Sequence, residues 1–187
     1  MADGCCGCKK EDNTLKNLLA AYSGESNASA KYAAYSEQAQ ADGYLALAAL
    51  FAAASKAESL HAARHARVIR SLGGEATAEI GTYAGKEVAE MLKDAIAGET
   101  EEFTHMYPGF IAEAEAAGQA QALASFRGAM DAEVVHAKLY QEALDNLDAW
   151  KAPRKFYVCT ICGWTEADAA PEKCPICGVA ADKFLEF

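Results

Sequence analysis

The residues most able to do chemistry in this chain form a short motif that occurs twice. Glu58-x-x-His61 and Glu133-x-x-His136 each pair a carboxylate with an imidazole three positions later. In a helix this spacing brings both side chains onto one face. Carboxylate oxygens combined with imidazole nitrogens suit iron or manganese, and suit zinc less well. The motif therefore indicates a metal site, provided that the fold brings its two copies together.

A further glutamate precedes each copy at a nearly constant distance. Glu25 lies 33 positions before Glu58, and Glu99 lies 34 positions before Glu133. This near repeat favours a bundle of two similar helix pairs. Diiron carboxylate bundles use one Glu from each of two helices and a Glu-x-x-His from each of the other two. With Glu102, which adds one carboxylate to that minimum, the predicted ligands of two iron ions are Glu25, Glu58, His61, Glu99, Glu102, Glu133 and His136.

The place of these ligands in the helical pattern bears on an alternative interpretation. Each glutamate taken alone could be a surface residue of an alanine-rich helix. All of them, however, fall on stripes that carry apolar residues at steps of three and four, and such stripes face a core. Burying a bare carboxylate costs on the order of several kcal/mol. A pair of cations would compensate for that cost, so the pattern as a whole favours the metal site.

Three other side chains near the motifs could support the metal site, and a fourth is not expected to. Tyr32 lies on the stripe of Glu25, and Tyr107 follows Glu102 by five positions. Each tyrosine either donates a hydrogen bond to a ligand, with a catalytic part in proton transfer, or only packs. His65, one turn beyond His61, either supports the ligands from outside or is a satisfied core histidine. His105 is off the stripe, and we expect it to be exposed.

A second metal motif lies near the C-terminus. Two Cys-x-x-Cys-Gly sequences contribute Cys159, Cys162, Cys174 and Cys177. Four thiolates presented by two tight turns form a tetrahedral sulfur site. Iron in this site would give a one-electron redox centre, whereas zinc would give a structural staple, and both remain open here. Because so short a segment has little core, the metal is expected to hold it together.

These motifs need four long helices to position them. The apolar periodicity predicts helices at about 11–41, 44–72, 85–116 and 119–148, separated by glycine-containing breaks. Short links within each helix pair imply antiparallel neighbours, and the longer link at 73–84 can act as a crossover. Pro108 lies inside the third helix, where we expect a kink, with a helix end as the alternative.

The composition changes near residue 150, which predicts two unequal domains. Three of the four prolines follow that point. We predict an all-α ferritin-like four-helix bundle followed by a small rubredoxin-like four-cysteine domain. The predicted boundaries are a cysteine-containing tail at 1–10, the bundle at 11–148, a linker at 149–155 and the small domain at 156–187. Cys5, Cys6 and Cys8 in the tail are interpreted as free thiols, with a redox or soft-metal role left open.

Charge and composition exclude several classes of partner. The net charge of −10 argues against nucleic acid, because phosphate binding needs clustered Lys and Arg. The chain has no long apolar run that would predict a membrane span, and no signal-peptide pattern at its start. We therefore expect a cytoplasmic location, where the seven cysteines serve as metal ligands or free thiols rather than disulfides.

Taken in order, the motifs resemble those of the rubrerythrins over nearly the whole chain. The shared features are Gly24-Glu25-Ser26 with Tyr32, the two Glu-x-x-His motifs, Gly98-Glu99-x-x-Glu102 with Met106-Tyr107-Pro108, and the closely spaced cysteine pairs. The resemblance implies a diiron site, in which His61 and Glu102 would exchange on one iron as the redox state changes. It also implies one iron on the four cysteines, and a homodimer in which this centre lies near the partner's diiron site.

The resemblance also implies an activity. We expect a peroxidase that reduces hydrogen peroxide to water, protects against oxidative stress and receives electrons through the four-cysteine iron from an external donor, either a reductase or a rubredoxin. The alternatives are a ferritin-like ferroxidase that handles iron, and a metal or redox sensor whose cysteine domain is a zinc ribbon. The electron-delivery domain argues against storage.

Overall fold

The computed structural model describes residues 12–187, so Cys5, Cys6 and Cys8 lie outside the described residues. The helices are α1 (Thr14–Ala41), α2 (Leu45–Ser71), α3 (Val88–Glu101), α4 (Tyr107–Ala116) and α5 (Ala120–Asp145). A π-helical turn (Glu102–Met106) joins α3 to α4, so these three segments together form the third helix of the bundle. The predicted all-α four-helix bundle with a small C-terminal domain is confirmed.

Glycines with left-handed backbone end the long helices. Gly43, Gly73 and Gly118 have φ of +80°, +80° and +68°, a conformation that costs other residues about 1–2 kcal/mol. Tight reversals at Gly43 and Gly118 make α1 and α2, and α4 and α5, neighbours in the bundle. The longer crossover between α2 and α3 is tied down by Asn27, which donates to the Glu79 carbonyl and accepts from the Gly81 amide.

The third helix changes its hydrogen-bond register just before Pro108. Its π turn covers Glu102–Met106, and the proline follows directly, in the first turn of α4. A π turn inserts one extra residue per turn, and such turns are frequent at functional sites. The turn begins at Glu102, which is one of the predicted ligands.

Two apolar layers fill the bundle above and below the predicted ligands. One contains Leu47, Phe51 and Met91, and the other contains Leu18 and Phe126; all five side chains are fully buried. Many of the remaining core positions are alanines, which allow the helices to approach closely. Along each helix the ionisable residues fall between the two layers, so the ligands occupy the middle of the bundle.

The C-terminal domain is a small antiparallel sheet that packs against the bundle. Its strands are β1 (Phe156–Cys159), β2 (Thr165–Ala167) and β3 (Phe184–Glu186), in the order β2-β1-β3. A 3-10 helix (Leu147–Lys151) leads into it, and Trp150 stacks on Phe156 with ring centroids 5.9 Å apart. Phe156 and Val158 are fully buried in the larger apolar layer of the bundle. The sheet and the bundle therefore share one core.

Within residues 12–187, none of the helices is long and apolar enough to cross a membrane.

Candidate metal centres

The middle of the bundle holds two overlapping groups of ligand atoms. The first group is Glu25, Glu58, His61 and Glu133, and the second is Glu58, Glu99, Glu133 and His136. Within each group the nearest ligand atoms lie within 4.8 Å of one another, and every member is at most 2 % exposed. Because Glu58 and Glu133 belong to both groups, they are placed to bridge two metal ions.

Hydrogen bonds on the outer side of each histidine leave its inner nitrogen facing the carboxylates. The carbonyl oxygen of Cys162 lies 2.9 Å from His61 Nε2, so Nε2 carries the proton and donates it. His136 Nε2 lies 2.9 Å from Oγ1 of Thr165, which itself donates to the Gly163 carbonyl and therefore accepts from His136. When a metal ion replaces the second ring proton, each Nδ1 has a lone pair available for coordination. Hydrogen-bond partners commonly set the tautomer of metal-binding histidines in this way.

Several of the inward-facing ligand atoms lack a hydrogen-bond partner. Among the described residues, buried ligand atoms without a hydrogen bond include Glu25 Oε2, Glu58 Oε1, both Glu133 oxygens and His136 Nδ1. His136 Nδ1 lies 2.9 Å from Glu133 Oε2, and His61 Nδ1 lies 3.0 Å from Glu133 Oε1. Buried polar atoms are rarely left unsatisfied. Four carboxylates and two imidazoles that converge with several of their inner atoms unsatisfied fit a pair of iron ions.

The pKa values of the metal-free site also indicate that it binds cations. Burial, together with the neighbouring Glu133 carboxylate, raises the pKa of Glu58 to about 7. Burial and the charge of Glu58 raise the pKa of Glu99 well above its ordinary value. Burial lowers the pKa of His136, but the carboxylates of Glu58 and Glu133 outweigh it and raise this pKa to about 9. Without metal, protons must neutralise the site, and cations would displace them.

Glu102 lies beside these groups rather than within them. It is half-buried at the start of the π turn and belongs to neither group of four. Its Oε1 would lie 4.0 Å from a Cβ placed on Gly24, so a residue without a side chain stands opposite it. Burial and the charge of Glu25 raise the pKa of Glu102 well above its ordinary value. The structure therefore brings six of the seven predicted ligands together and leaves the seventh adjacent.

Both tyrosines that the sequence left open donate hydrogen bonds to ligands. Tyr32 Oη donates to Glu99 Oε1 at 2.5 Å, and Tyr107 Oη donates to Glu25 Oε1. Burial raises the pKa of each hydroxyl well above its ordinary value, so both keep their protons. The two contacts hold one glutamate of each group in place.

His65 proves to be part of this network, and it brings in a residue that sequence reasoning missed. Its Nε2 lies 3.1 Å from Tyr107 Oη, and its Nδ1 lies 2.9 Å from Ser125 Oγ. Ser125 lies two turns before Glu133 on α5, and a single serine in an alanine-rich helix carries no signal that could have marked it. His105, which was predicted to be exposed, is exposed.

The four cysteines of the C-terminal domain converge on one point. Sγ of Cys159 lies 3.5 Å from that of Cys177, and Sγ of Cys162 lies 3.4 Å from that of Cys174. All four sulfur atoms lie within 4.8 Å of one another, and none of the four forms a disulfide. The cage fits a single tetrahedral metal ion bound by thiolates.

The two centres meet within one chain. Cys162 and Gly163 lie directly against His61, and a Cβ on Gly163 would stand only 2.1 Å from His61 Nε2. The domain therefore reaches the site of its own bundle, and the approach between two subunits that the resemblance implied stays a prediction. The reason is the packing of Trp150, Phe156 and Val158 into the bundle's own apolar layer.

Comparison with known proteins covers both domains. A family model described as Rubrerythrin matches residues 16–144, and one described as Rubrerythrin, rubredoxin-like domain matches residues 157–185. Rubrerythrin-2 of Clostridium acetobutylicum is 35 % identical over 95 % of this chain and 98 % of its own length. Nigerythrin of Nitratidesulfovibrio vulgaris is 36 % identical over 94 % of this chain and 87 % of its own.

Solved structures extend the comparison to the fold. Fully reduced, all-ferrous nigerythrin superposes with a TM-score of 0.87 at 34 % identity, covering 97 % of this chain and 91 % of that one. A bacterioferritin of Desulfovibrio desulfuricans gives a TM-score of 0.68 at 22 % identity over 73 % of this chain and 81 % of its own. The second likeness concerns the fold of the bundle alone.

Proposed function

This chain belongs to the rubrerythrin family, an iron-dependent family of oxidoreductases, and from that premise we propose that it reduces hydrogen peroxide to water. Its bundle holds the diiron site and its C-terminal domain holds the rubredoxin-like four-cysteine site. The proposed reaction is H2O2 + 2 e− + 2 H+ → 2 H2O. Iron bound by the four cysteines would supply the electrons to the bundle one at a time.

The observation that carries this proposal is the hydrogen bond from His61 to the Cys162 carbonyl. One side of His61 faces the carboxylate site, and the other contacts the backbone of a residue whose sulfur faces the cysteine site. A few covalent bonds and one hydrogen bond therefore connect the two centres. Such a connection serves repeated reduction of the bundle site, which iron storage does not require.

The chain's own residues have distinct parts in this reaction. When bound, two ferrous ions supply one electron each and polarise the peroxide oxygens. Glu58 and Glu133 belong to both groups of ligand atoms and would hold two ions together. Tyr32 and Tyr107 orient Glu99 and Glu25 and keep a proton beside each carboxylate. The apolar layers around the ligands exclude bulk water.

Glu102 and His61 are proposed to exchange on one ion as the redox state changes. The half-buried carboxylate of Glu102 starts at the π turn, and the absence of a side chain on Gly24 leaves room for it to move. His61 belongs to the group that contains Glu25, and the charge of Glu25 bears directly on Glu102. This shared neighbour supports placing both residues at the same ion.

The remaining proposals concern partners and location. We expect an external protein that donates single electrons to the cysteine centre, where Cys177 is exposed. We also expect a homodimer and a cytoplasmic location. Neither nucleic acid nor a membrane has a part in the proposed reaction.

A turnover experiment tests the peroxidase proposal. Iron-loaded protein with a chemical reductant should consume hydrogen peroxide continuously, at one peroxide for each two electrons. The Cys174→Ser variant disrupts the cysteine site but leaves the bundle ligands intact, so we expect one rapid turnover followed by slow consumption. Equal sustained rates in both proteins would contradict electron delivery through the cysteine site, and oxidation by dioxygen faster than by peroxide would favour a ferroxidase.

A further inference from the structure

Glu25 stands at the inner end of a buried chain of hydrogen bonds. Tyr107 Oη donates to a Glu25 carboxylate oxygen, and His65 Nε2 lies 3.1 Å from Tyr107 Oη. Ser125 Oγ lies 2.9 Å from His65 Nδ1. The four residues are between 0 and 4 % exposed, and they come from α1, α2, α4 and α5. The chain of contacts therefore crosses the bundle rather than following one helix.

The directions of these hydrogen bonds are set by their inner end. Tyr107 has one proton and gives it to the Glu25 carboxylate, so its oxygen must accept from His65 Nε2. A neutral imidazole that carries its proton on Nε2 has a lone pair on Nδ1, so Ser125 must donate to Nδ1. Every donor in the chain thus points toward Glu25.

The outer end of the chain opens at the surface. Ser125 lines a cleft of about 350 Å³ between α2 and α5. The other lining residues are Arg64, Arg67, Val68, Gln121 and Ala124, of which Arg67 is exposed. Water in this cleft can donate to the Ser125 hydroxyl. The hydrogen-bonded path then runs from solvent to a carboxylate of the metal site.

We propose that Ser125, His65 and Tyr107 form the route by which protons from the cleft reach Glu25 during turnover. The inference rests on the proposed function, because reduction of one hydrogen peroxide to two waters consumes two protons as well as two electrons. The electrons enter from the cysteine domain beside His61. The protons enter through different residues, so electron and proton supply are separated in the bundle.

Each transfer along the route is balanced. Ser125 gives its proton to His65 Nδ1 and takes one from water in the cleft, and that water takes a proton from bulk solvent in turn. His65 gives the proton on Nε2 to Tyr107, and Tyr107 gives its own to Glu25, which passes it to the substrate oxygen beside the metals. Every member loses one proton as it gains another and is neutral before and after the transfer. Ser125 and His65 are therefore positioning residues that act through Tyr107.

The first test determines the direction of the hydrogen bonds at His65 by NMR and does not depend on enzymatic activity. Full-length protein with ¹⁵N-labelled histidine and zinc in its metal sites is diamagnetic and suits NMR. We expect a neutral His65 with its proton on Nε2, and a clear shift of the Nδ1 resonance in Ser125→Ala. Ser36→Ala is the matched control, because Ser36 is also a helical serine with one hydrogen bond, to the Ala48 carbonyl, away from the site. A proton on Nδ1, or an unchanged Nδ1 resonance in Ser125→Ala, would overturn the proposal.

The second test measures proton uptake with a pH indicator when reduced, iron-loaded protein is mixed with hydrogen peroxide and, separately, with dioxygen. Ser125→Ala and His65→Gln should slow proton uptake at least about tenfold with either oxidant and increase the solvent deuterium isotope effect. Ser36→Ala should match the unmodified protein.

Proton uptake at the unmodified rate in Ser125→Ala would overturn the route, even if His65→Gln failed to fold. Failure of the unmodified protein to react faster with peroxide than with dioxygen would count against the proposed function alone, since the dioxygen arm still measures the route.

Discussion

His61 Nε2 lies 2.9 Å from the carbonyl oxygen of Cys162 and donates a hydrogen bond to it. The two residues are 101 positions apart in the chain, and each belongs to a different metal centre. The contact fixes the tautomer of His61, because a carbonyl can only accept, and it leaves Nδ1 available to a metal. One hydrogen bond therefore prepares a ligand and joins the two centres at the same time.

Gly163 permits this contact, and its replacement should separate the centres. The two glycines that follow the cysteine pairs have similar backbone conformations, with φ of +81° at Gly163 and +74° at Gly178. A Cβ on Gly163 would stand 2.1 Å from His61 Nε2, whereas one on Gly178 would meet no described atom within 4 Å. We expect Gly163→Ala to slow electron transfer from the cysteine iron to the bundle by about tenfold or more.

Gly178→Ala is the matched control for this prediction. Both alanines suffer the left-handed penalty of about 1–2 kcal/mol, so any difference between the variants reports the contact with His61. Transfer can be followed by the visible absorption of the ferric cysteine centre after rapid mixing with peroxide. Equal rates in the two variants would show that the approach of Gly163 to His61 does not matter.

Glu102→Ala should impair turnover far more than metal binding. Glu102 lies outside both groups of four ligand atoms, so the iron content of the bundle should be retained. If Glu102 exchanges with His61, its loss should slow peroxide turnover by about 10- to 100-fold. The neighbouring Glu101→Ala is the control, because Glu101 is exposed. Undiminished turnover in Glu102→Ala with full iron content would contradict the exchange.

The metal-free bundle should become less stable as pH rises from about 5 to 9. Burial raises the pKa of Glu58 to about 7 and that of Glu99 well above its ordinary value, and nearby carboxylates outweigh burial and raise the pKa of His136 to about 9. In this range the folded state therefore binds more protons than the unfolded state, so the free energy of unfolding falls with pH. The pKa of Glu25 and that of Glu133 are lowered, and their contribution is already complete above about pH 5.

Metal binding should reverse this trend, because the ions replace the protons. The measurement is the midpoint of thermal unfolding of chelator-treated and of iron-loaded protein at pH 6 and at pH 8.5. The difference in midpoint between the two forms should be larger at pH 8.5 than at pH 6. Glu99→Gln removes one of the buried charges, so its metal-free form should show a flatter dependence. A metal-free protein that gained stability between pH 6 and pH 8.5 would contradict the electrostatic account of the site.

The sequence predicted the bundle and the convergence of its ligands because both depend on local spacing. A Glu-x-x-His motif places its two side chains on one face within a single helical turn. The sequence separation between the glutamates of paired helices is nearly the same in both pairs, so the motifs are expected at the same level of the bundle. The cysteine pairs are similar, since each pair is presented by its own turn. Local spacing alone therefore predicts that the four glutamates converge, namely Glu25, Glu58, Glu99 and Glu133.

Other features had no such local signal. The π turn at Glu102–Met106 is a change of hydrogen-bond register. Pro108 indicates that the helix is perturbed near this point, but it does not predict a π turn or where that turn begins. The docking of the cysteine domain on its own bundle depends on Phe156 and Val158 entering a core formed mainly by residues from distant parts of the chain. Tyr32 and Tyr107 could either pack or donate a hydrogen bond to a ligand. The outcome depends on the position of each hydroxyl group, which helical periodicity does not specify.

The most direct test of the central claim is an anaerobic stopped-flow experiment on fully reduced, iron-loaded protein. The protein is mixed with hydrogen peroxide and, separately, with dioxygen, while the visible absorption of the ferric cysteine-ligated centre is recorded. We predict that this absorption appears rapidly with peroxide and slowly with dioxygen, because electrons leave the cysteine iron as the bundle site reduces peroxide. An absorption that stayed silent, or that rose no faster with peroxide than with dioxygen, would contradict the peroxidase account and favour iron oxidation or sensing.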